Sequence, residues 1–167
     1  KTFSQRNEVE HKQIDLCESV RMFETTLRTL VEPDYELVIE GLADDPFWVI
    51  GNASQLQQVV LNLVVNARDA SAIGAPIGIR VGPSTSDSAY VELRVTDAGP
   101  GISAEMADRI FDPFFTTKTH EQGTGLGLSI VHGIVRDHAG RIRVESSTRG
   151  TEFVVEFPLC SAPKGRD

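Results

Sequence analysis

The sequence predicts an α+β fold, a two-layer α/β sandwich in which three helices cover one face of a mixed, mostly antiparallel sheet. Three observations predict this class. Apolar residues recur at helical spacing in three separate stretches. Strands with alternating polarity come in pairs that short polar turns join. The regular alternation of strands and helices that a doubly wound parallel sheet needs is missing from the pattern.

Composition limits the functional classes. The chain has 167 residues, enough for one well-packed domain, and a formal net charge of −8 at pH 7. This acidity argues against nucleic acid as the main partner, because neutralising phosphates requires a basic surface. Cys17 and Cys160 lie far apart without metal-ligand spacing, so we expect reduced thiols and a cytoplasmic location. The sequence contains no apolar run of about 18 residues and no secretory signal.

Domain boundaries follow from the polar ends. We expect residues 1–14 to be a linker or the end of a preceding helix, 15–159 to form the domain, and 160–167 to be a loose tail. Because the first residue is Lys1 rather than Met, we expect the chain to be a piece of a longer protein. Whether that parent is attached to a membrane stays open at this stage.

The individual elements follow from periodicity and from capping residues. Asp15 or Ser19 can cap a helix over roughly 17–30, which Pro33 ends. Ser103 can cap a helical turn at 103–110. Alternating polarity predicts strands at 35–42, 47–51, 77–82, 89–97, 141–147 and 151–157.

The most informative helix is predicted over 53–71, after a capping box at 52–55. Its polar stripe contains Asn62 and Asn66, which are neighbours at i,i+4 although asparagine is a poor helix former. The stripe could simply satisfy the helix flank, or its amide oxygens could coordinate a hard cation such as Mg²⁺ beside phosphates. The apolar face of this helix is predicted to contain Leu56, Val59, Val60, Leu63, Ala67 and Ala70.

Two glycine-rich turns enclose the stretch from Asp97 to Gly127. Asp97 ends a strand, and as a carboxylate it could accept a hydrogen bond from an adenine amine, while Gly99 and Gly101 let a flat ring lie on bare backbone. The alternative is a plain turn. Gly123–Gly127 opens into a helix that runs to His138, and such an N-terminus favours phosphate. The alternative there is a flexible loop that leads into a core helix.

These motifs together resemble the ATP-binding catalytic domain of bacterial sensor histidine kinases, in the GHKL superfamily with the Bergerat fold. QLQQVVLNLVVNARDA at 55–70 resembles the N box, and DAGPGI at 97–102 resembles the G1 box. Residues 111–118, FDPFFTTK, resemble the F box, and residues 123–128, GTGLGL, resemble the G2 box. GTEF at 150–153 resembles a G3 box. The F and G2 boxes look most like those of the nitrogen-regulator and oxygen-sensor type.

The resemblance implies a role for each matching residue. Asp97 would take the adenine amine, Asn66 would bind Mg²⁺ with Asn62 beside it, and Lys118 would reach the terminal phosphate of ATP. Residues 111–124 would form a mobile ATP lid. The implied catalytic residues are Asn62, Asn66 and Lys118. The implied ATP-binding residues are Asn62, Asn66, Asp69, Asp97, Gly99, Gly101, Ile102, Phe111, Thr116, Thr117, Lys118, Gly123, Thr124, Gly125, Leu126, Gly127, Leu128 and Thr151.

Two residues depart from the family pattern. Asp69 stands where many members have a base, which puts one phosphate contact in doubt, and Arg68 is expected on the opposite helix face. Asn62 stands where ATP-hydrolysing relatives have Glu, and an amide cannot act as a general base at neutral pH. The resemblance therefore implies phosphoryl transfer from Mg-ATP to a histidine rather than hydrolysis.

The expected partners lie outside this sequence. None of His11, His120, His132 and His138 has the context of a phosphoacceptor, so we expect surface or packing roles for them. The acceptor would be a histidine on a separate helical dimerisation domain of the same parent, with a response-regulator receiver domain downstream. We expect a monomeric fragment of a homodimeric parent. The alternatives are an ATP-sensing scaffold without phosphotransfer and an ATP-switched clamp.

Overall fold

The computed structural model describes residues 9–42, 44–115 and 127–165. Its helices are α1 (Leu16–Val31), α2 (Ala53–Ala70), α3 (Ala104–Ala107) and α4 (Gly127–Asp137). Its strands are β1 (Lys12–Asp15), β2 (Glu36–Glu40), β3 (Trp48–Gly51), β4 (Pro76–Pro83), β5 (Tyr90–Thr96), β6 (Arg141–Ser147) and β7 (Gly150–Pro158). In the described ranges, no helix is long and apolar enough to cross a membrane.

Five strands form the main sheet in the order β2-β4-β5-β7-β6. The β2–β4 pair is parallel and the other pairs are antiparallel, so the predicted mixed, mostly antiparallel sheet is confirmed. The hairpins β4–β5 and β6–β7 form where the polar turns predicted them. The sequence analysis did not predict β1, a short strand of four residues. It pairs with β3 in a two-stranded sheet that is separate from the main sheet.

The core lies between the main sheet and the three longer helices. Phe153, Val155 and Phe157 of β7, which lies between β5 and β6, point into it, and α2 contacts both α1 and α4 as well as the sheet. This position buries a wider arc of α2 than a helix with one covered face would bury. Val64 is therefore fully buried although the sequence analysis left it out, while Ala70, predicted to be on the apolar face, is exposed in the last turn.

Two side-chain caps fix where the long helices begin. Asp15, not Ser19, caps α1: its Oδ1 accepts the N–H of Cys17 at 3.0 Å and also that of Phe47 at 3.1 Å. Asn52 caps α2 by accepting the N–H of Gln55 at 3.0 Å. Only half of the predicted capping box forms, because the buried Oε1 of Gln55 has no hydrogen-bond partner in the described chain.

The opposite face of the main sheet carries ion pairs instead of helices. Arg94 pairs with Glu92 and Glu152, and Val154 is fully buried although it faces outward. It lies in register between Arg94 and Arg143, whose aliphatic stems can cover it. A polar cavity of about 520 Å³ also opens on this face, beside Arg94. Strand alternation turns Asp97 toward the helices instead, so this cavity is separate from the glycine-rich turns.

Candidate functional site

Asp97 follows the end of β5 on the helix side of the sheet and is 5% exposed. Its Oδ1 accepts two backbone hydrogen bonds, from Gly99 at 2.8 Å and from Thr151 at 3.1 Å. Its other carboxylate oxygen makes no hydrogen bond within the described chain. Burial raises the pKa of Asp97 above its usual value, and the two N–H donors oppose this by favouring the ionised form. The two hydrogen bonds thus fix the orientation of the Asp97 side chain and leave its second carboxylate oxygen as an acceptor for a ligand.

The glycines around Asp97 allow segments of backbone to approach each other. A Cβ on Gly99 would lie 2.4 Å from the carbonyl oxygen of Ala70, and one on Gly101 would lie 2.0 Å from that of Ser147. Gly101 also has φ +79°, and Gly150, with φ +144°, abuts the carbonyl of Asp97. The fold therefore requires these glycines whether or not a ring lies against them.

Ser146 is a site residue that the sequence analysis missed. Its Oγ accepts the N–H of Ile102 at 2.7 Å and lies 3.3 Å from the Oγ1 of Thr151. This hydroxyl links the turn after Asp97 to the β6–β7 hairpin. Its place in a strand of alternating polarity gave no signal, because only the pairing of β6 with β7 brings it to the turn.

Helices α2 and α4 meet through Asn62. Its Nδ2 donates to the carbonyl oxygen of Gly127 at 3.2 Å, at the first residue of α4. Asn66, one turn further along α2, is half-buried and makes no hydrogen bond to another residue of the described ranges. The structure therefore brings both asparagines to the side of α2 that faces the N-terminus of α4. An α-helix N-terminus favours an anion, because its first N–H groups have no partner within the helix itself.

Arg68 and Asp69 form an ion pair at 3.2 Å near the end of α2. The Arg68 guanidinium contacts the adjacent carboxylate of Asp69. The expectation that Arg68 lies on the helix face opposite the asparagines stays a prediction. The pair is partly exposed, so its attraction is weakened by solvent.

The remaining predicted site residues divide into two groups. Phe111 and Leu128 are partly buried against the core, and the Phe111 ring lies 5.5 Å from the ring of His132. Within the described structure Phe111 therefore has a packing role. The other predicted residues lie outside the described ranges, as does most of the expected lid: Thr116, Thr117, Lys118, Gly123, Thr124, Gly125 and Leu126.

Residues 51–161 match the family described as histidine kinase-, DNA gyrase B- and HSP90-like ATPases. The chain belongs to this family. It is an ATP-binding domain of the GHKL superfamily, and the sequence-based identification is confirmed at that level. The matched range contains both asparagines, the Asp97 turn and the start of α4, which are the parts of the site described above.

The similar proteins and solved structures reported below are sensor kinases. Sensor kinase CckA of Brucella abortus is 36% identical over 179 residues, which cover 99% of this chain and 19% of CckA. Two-component sensor PprA of Pseudomonas aeruginosa is 43% identical over 68% of this chain and 13% of its own length. The structure of mycobacterial sensor histidine kinase MprB is 31% identical with a TM-score of 0.76, covering 89% of this chain and 97% of that one. The chain therefore spans less than a fifth of those two curated relatives.

The residues on α2 fit a hard cation. Amide oxygens are neutral ligands of the kind Mg²⁺ accepts, and phosphates supply the negative charge that such a site otherwise needs. Asn66 has no competing hydrogen bond in the described chain, so its amide oxygen is available. Among the described residues no cluster of histidine, cysteine and acidic side chains could hold a metal ion without a ligand's help. This donor set thus suits a metal that arrives with a nucleotide.

Proposed function

We propose that this chain binds Mg-ATP and transfers the γ-phosphoryl group to a histidine on a helical dimerisation domain of the same parent protein. The single observation that carries the proposal is Asp97. It is buried, oriented by two backbone donors, and left with one acceptor oxygen at the edge of glycine-rich turns. An amino-bearing flat ring is the ligand that this arrangement fits.

The phosphates would lie between α2 and the N-terminus of α4. There the N–H groups of Gly127 and Leu128, together with the helix dipole, favour negative charge. Asn66 would hold Mg²⁺ with Asn62 beside it, and the bound ion would neutralise phosphate charge. Phosphoryl transfer of this kind depends mainly on positioning and on charge stabilisation. Lys118, Thr116 and Thr117 remain predicted contacts for the terminal phosphate.

Asn62 favours transfer over hydrolysis. An amide cannot remove a proton from water at neutral pH, and here its Nδ2 already donates to Gly127. A histidine imidazole is nucleophilic without such a base, so it can accept the phosphoryl group. The same residue argues against the ATP-switched clamp, which depends on hydrolysis. An ATP-sensing scaffold that transfers nothing remains the second candidate.

The deciding experiment combines this chain with the separately produced phosphoacceptor domain of its parent and γ-labelled ATP. A kinase labels the acceptor domain in an Mg²⁺-dependent reaction, and the acceptor alone stays unlabelled. A scaffold binds the nucleotide but leaves the acceptor unlabelled. Asp97→Asn should abolish labelling at low ATP, whereas Asp45→Asn, the same change at an exposed position, should not.

A further inference from the structure

His138 lies just beyond the end of α4 and is 5% exposed. Its Nε2 accepts the backbone N–H of Asn52 at 3.1 Å, and its Nδ1 lies 2.8 Å from the carbonyl oxygen of Ile134. The first contact requires an unprotonated Nε2, and the second then places the proton on Nδ1. The ring therefore connects the end of α4 to the N-cap of α2. In a complete capping box, the side chain of Gln55 would accept the N–H of Asn52, and here the His138 ring accepts it instead.

The backbone N–H and both polar side-chain atoms of Asn52 are hydrogen-bonded. Besides donating its N–H to His138 and capping Gln55, it donates its Nδ2 to the carbonyl oxygen of Glu10 at 3.2 Å. His11 stacks on His138 with ring centroids 4.5 Å apart. We call residues 9–11 the leading segment. It thus contacts both members of the Asn52–His138 pair immediately before the domain's first strand.

Two hydrogen bonds join α2 and α4, one from Asn52 to His138 and one from Asn62 to Gly127, and they are about equally far apart along each helix. From Asn52 to Asn62 the chain advances about 15 Å, and from Gly127 to His138 it advances about 16 Å. The Asn52–His138 bond therefore fastens the antiparallel helices at one end of a shared length, and the Asn62–Gly127 bond fastens them at the other. A displacement at the first bond would change how the helices sit at the second, which is the phosphate end of the site.

We propose that His138 is a positioning residue, which couples the leading segment to the nucleotide site by fixing the start of α2 against the end of α4. The inference rests on the proposed nucleotide site. The uncommon feature is a ring nitrogen that accepts the backbone N–H of a helix N-cap. Protonation would turn Nε2 into a donor, which would then face the N–H donor of Asn52 and break the hydrogen bond. The titratable groups that face the ring are His11 and Asp137, while its neighbours Gly51 and Phe157 are uncharged.

Two substitutions separate the hydrogen bond from the volume of the ring. His138→Gln keeps an acceptor at about the reach of Nε2 and removes titration, whereas His138→Phe keeps an aromatic ring and removes the acceptor. Calorimetry with a non-hydrolysable ATP analogue and Mg²⁺ should give about fivefold weaker binding for the Phe variant and restoration to within about twofold for the Gln variant, as expected for one hydrogen bond. Equal affinity of wild type and the Phe variant would overturn the proposal, and so would a Gln variant as weak as Phe.

Coupling to the leading segment is tested by a double-mutant cycle. His11→Ala should weaken binding about twofold in the wild type and leave the His138→Phe variant unaffected. Independent, additive effects would refute the coupling. If the Phe variant fails to fold, the pH profile decides instead: between about pH 7.5 and 5.5 the affinity of the wild type should fall more than that of His138→Gln. Parallel profiles would overturn the proposal. A wild type that binds no analogue would refute the proposed function itself.

Discussion

Asp97→Asn should separate nucleotide binding from stability. Asparagine has the same shape, and its carbonyl oxygen can still accept the N–H groups of Gly99 and Thr151, which lie 2.8 Å and 3.1 Å from Oδ1. Its NH₂ group then occupies the position of the uncommitted carboxylate oxygen. A donor there faces the amine of the base, so a charge-assisted hydrogen bond is replaced by the meeting of two donors.

The expected loss of affinity follows from that single bond. A hydrogen bond to a charged group contributes about 1.5–3 kcal/mol, which corresponds to about 10- to 150-fold in the dissociation constant for ATP. The free energy of unfolding should not fall. Burial raises the pKa of Asp97, so the ionised carboxylate is unfavourable in the folded chain and a neutral amide removes that penalty.

Calorimetric titration with an ATP analogue and thermal melting of the same samples test both parts. Asp97→Ala is the contrasting variant, because it leaves two buried N–H groups unpaired and should lower stability by about 1–3 kcal/mol or more. Asp45→Asn controls for the loss of one negative charge at an exposed position. An Asp97→Asn protein that binds ATP with unchanged affinity would refute the adenine assignment.

Three further predictions test other parts of the structure. Asn66→Ala should abolish the Mg²⁺ dependence of ATP binding, and titrations that keep their full dependence would exclude Asn66 as a ligand. Gly101→Ala should lower the free energy of unfolding by about 2 kcal/mol or more, because its Cβ would lie 2.0 Å from a carbonyl oxygen, while Gly82→Ala, with open space around it, should change little. Burial lowers the pKa of His138, so the unfolded chain takes up a proton first as the pH falls below about 6.5. The free energy of unfolding should therefore decrease in acid, and denaturant titrations of His138→Gln should show a smaller decrease.

Local patterns were enough to predict most of the elements. α1 and α2 each have a polar cap and an apolar stripe, and α4 has an apolar stripe after a glycine-rich stretch. These three helices were therefore predicted within a few residues of their observed ends. The two hairpins followed from alternating strands around short polar turns. Short elements were harder: β1 has only four residues, and its pairing with β3 depends on a contact between segments far apart in sequence.

The family, the fold class and the residue types of the site were predictable from the sequence. The glycine turns, the paired asparagines and a carboxylate at a strand end are local features whose chemistry can be inferred without coordinates. Which of these groups come into contact depends on the folding of distant segments against each other. This folding joined Asn62 to Gly127, brought Ser146 to the turn after Asp97, and placed His138 on the N–H of Asn52. These contacts link residues from 44 positions to 86 positions apart, where no periodic pattern along the chain carries information. The physical reason is that sheet pairing and helix packing, rather than local spacing, set those distances.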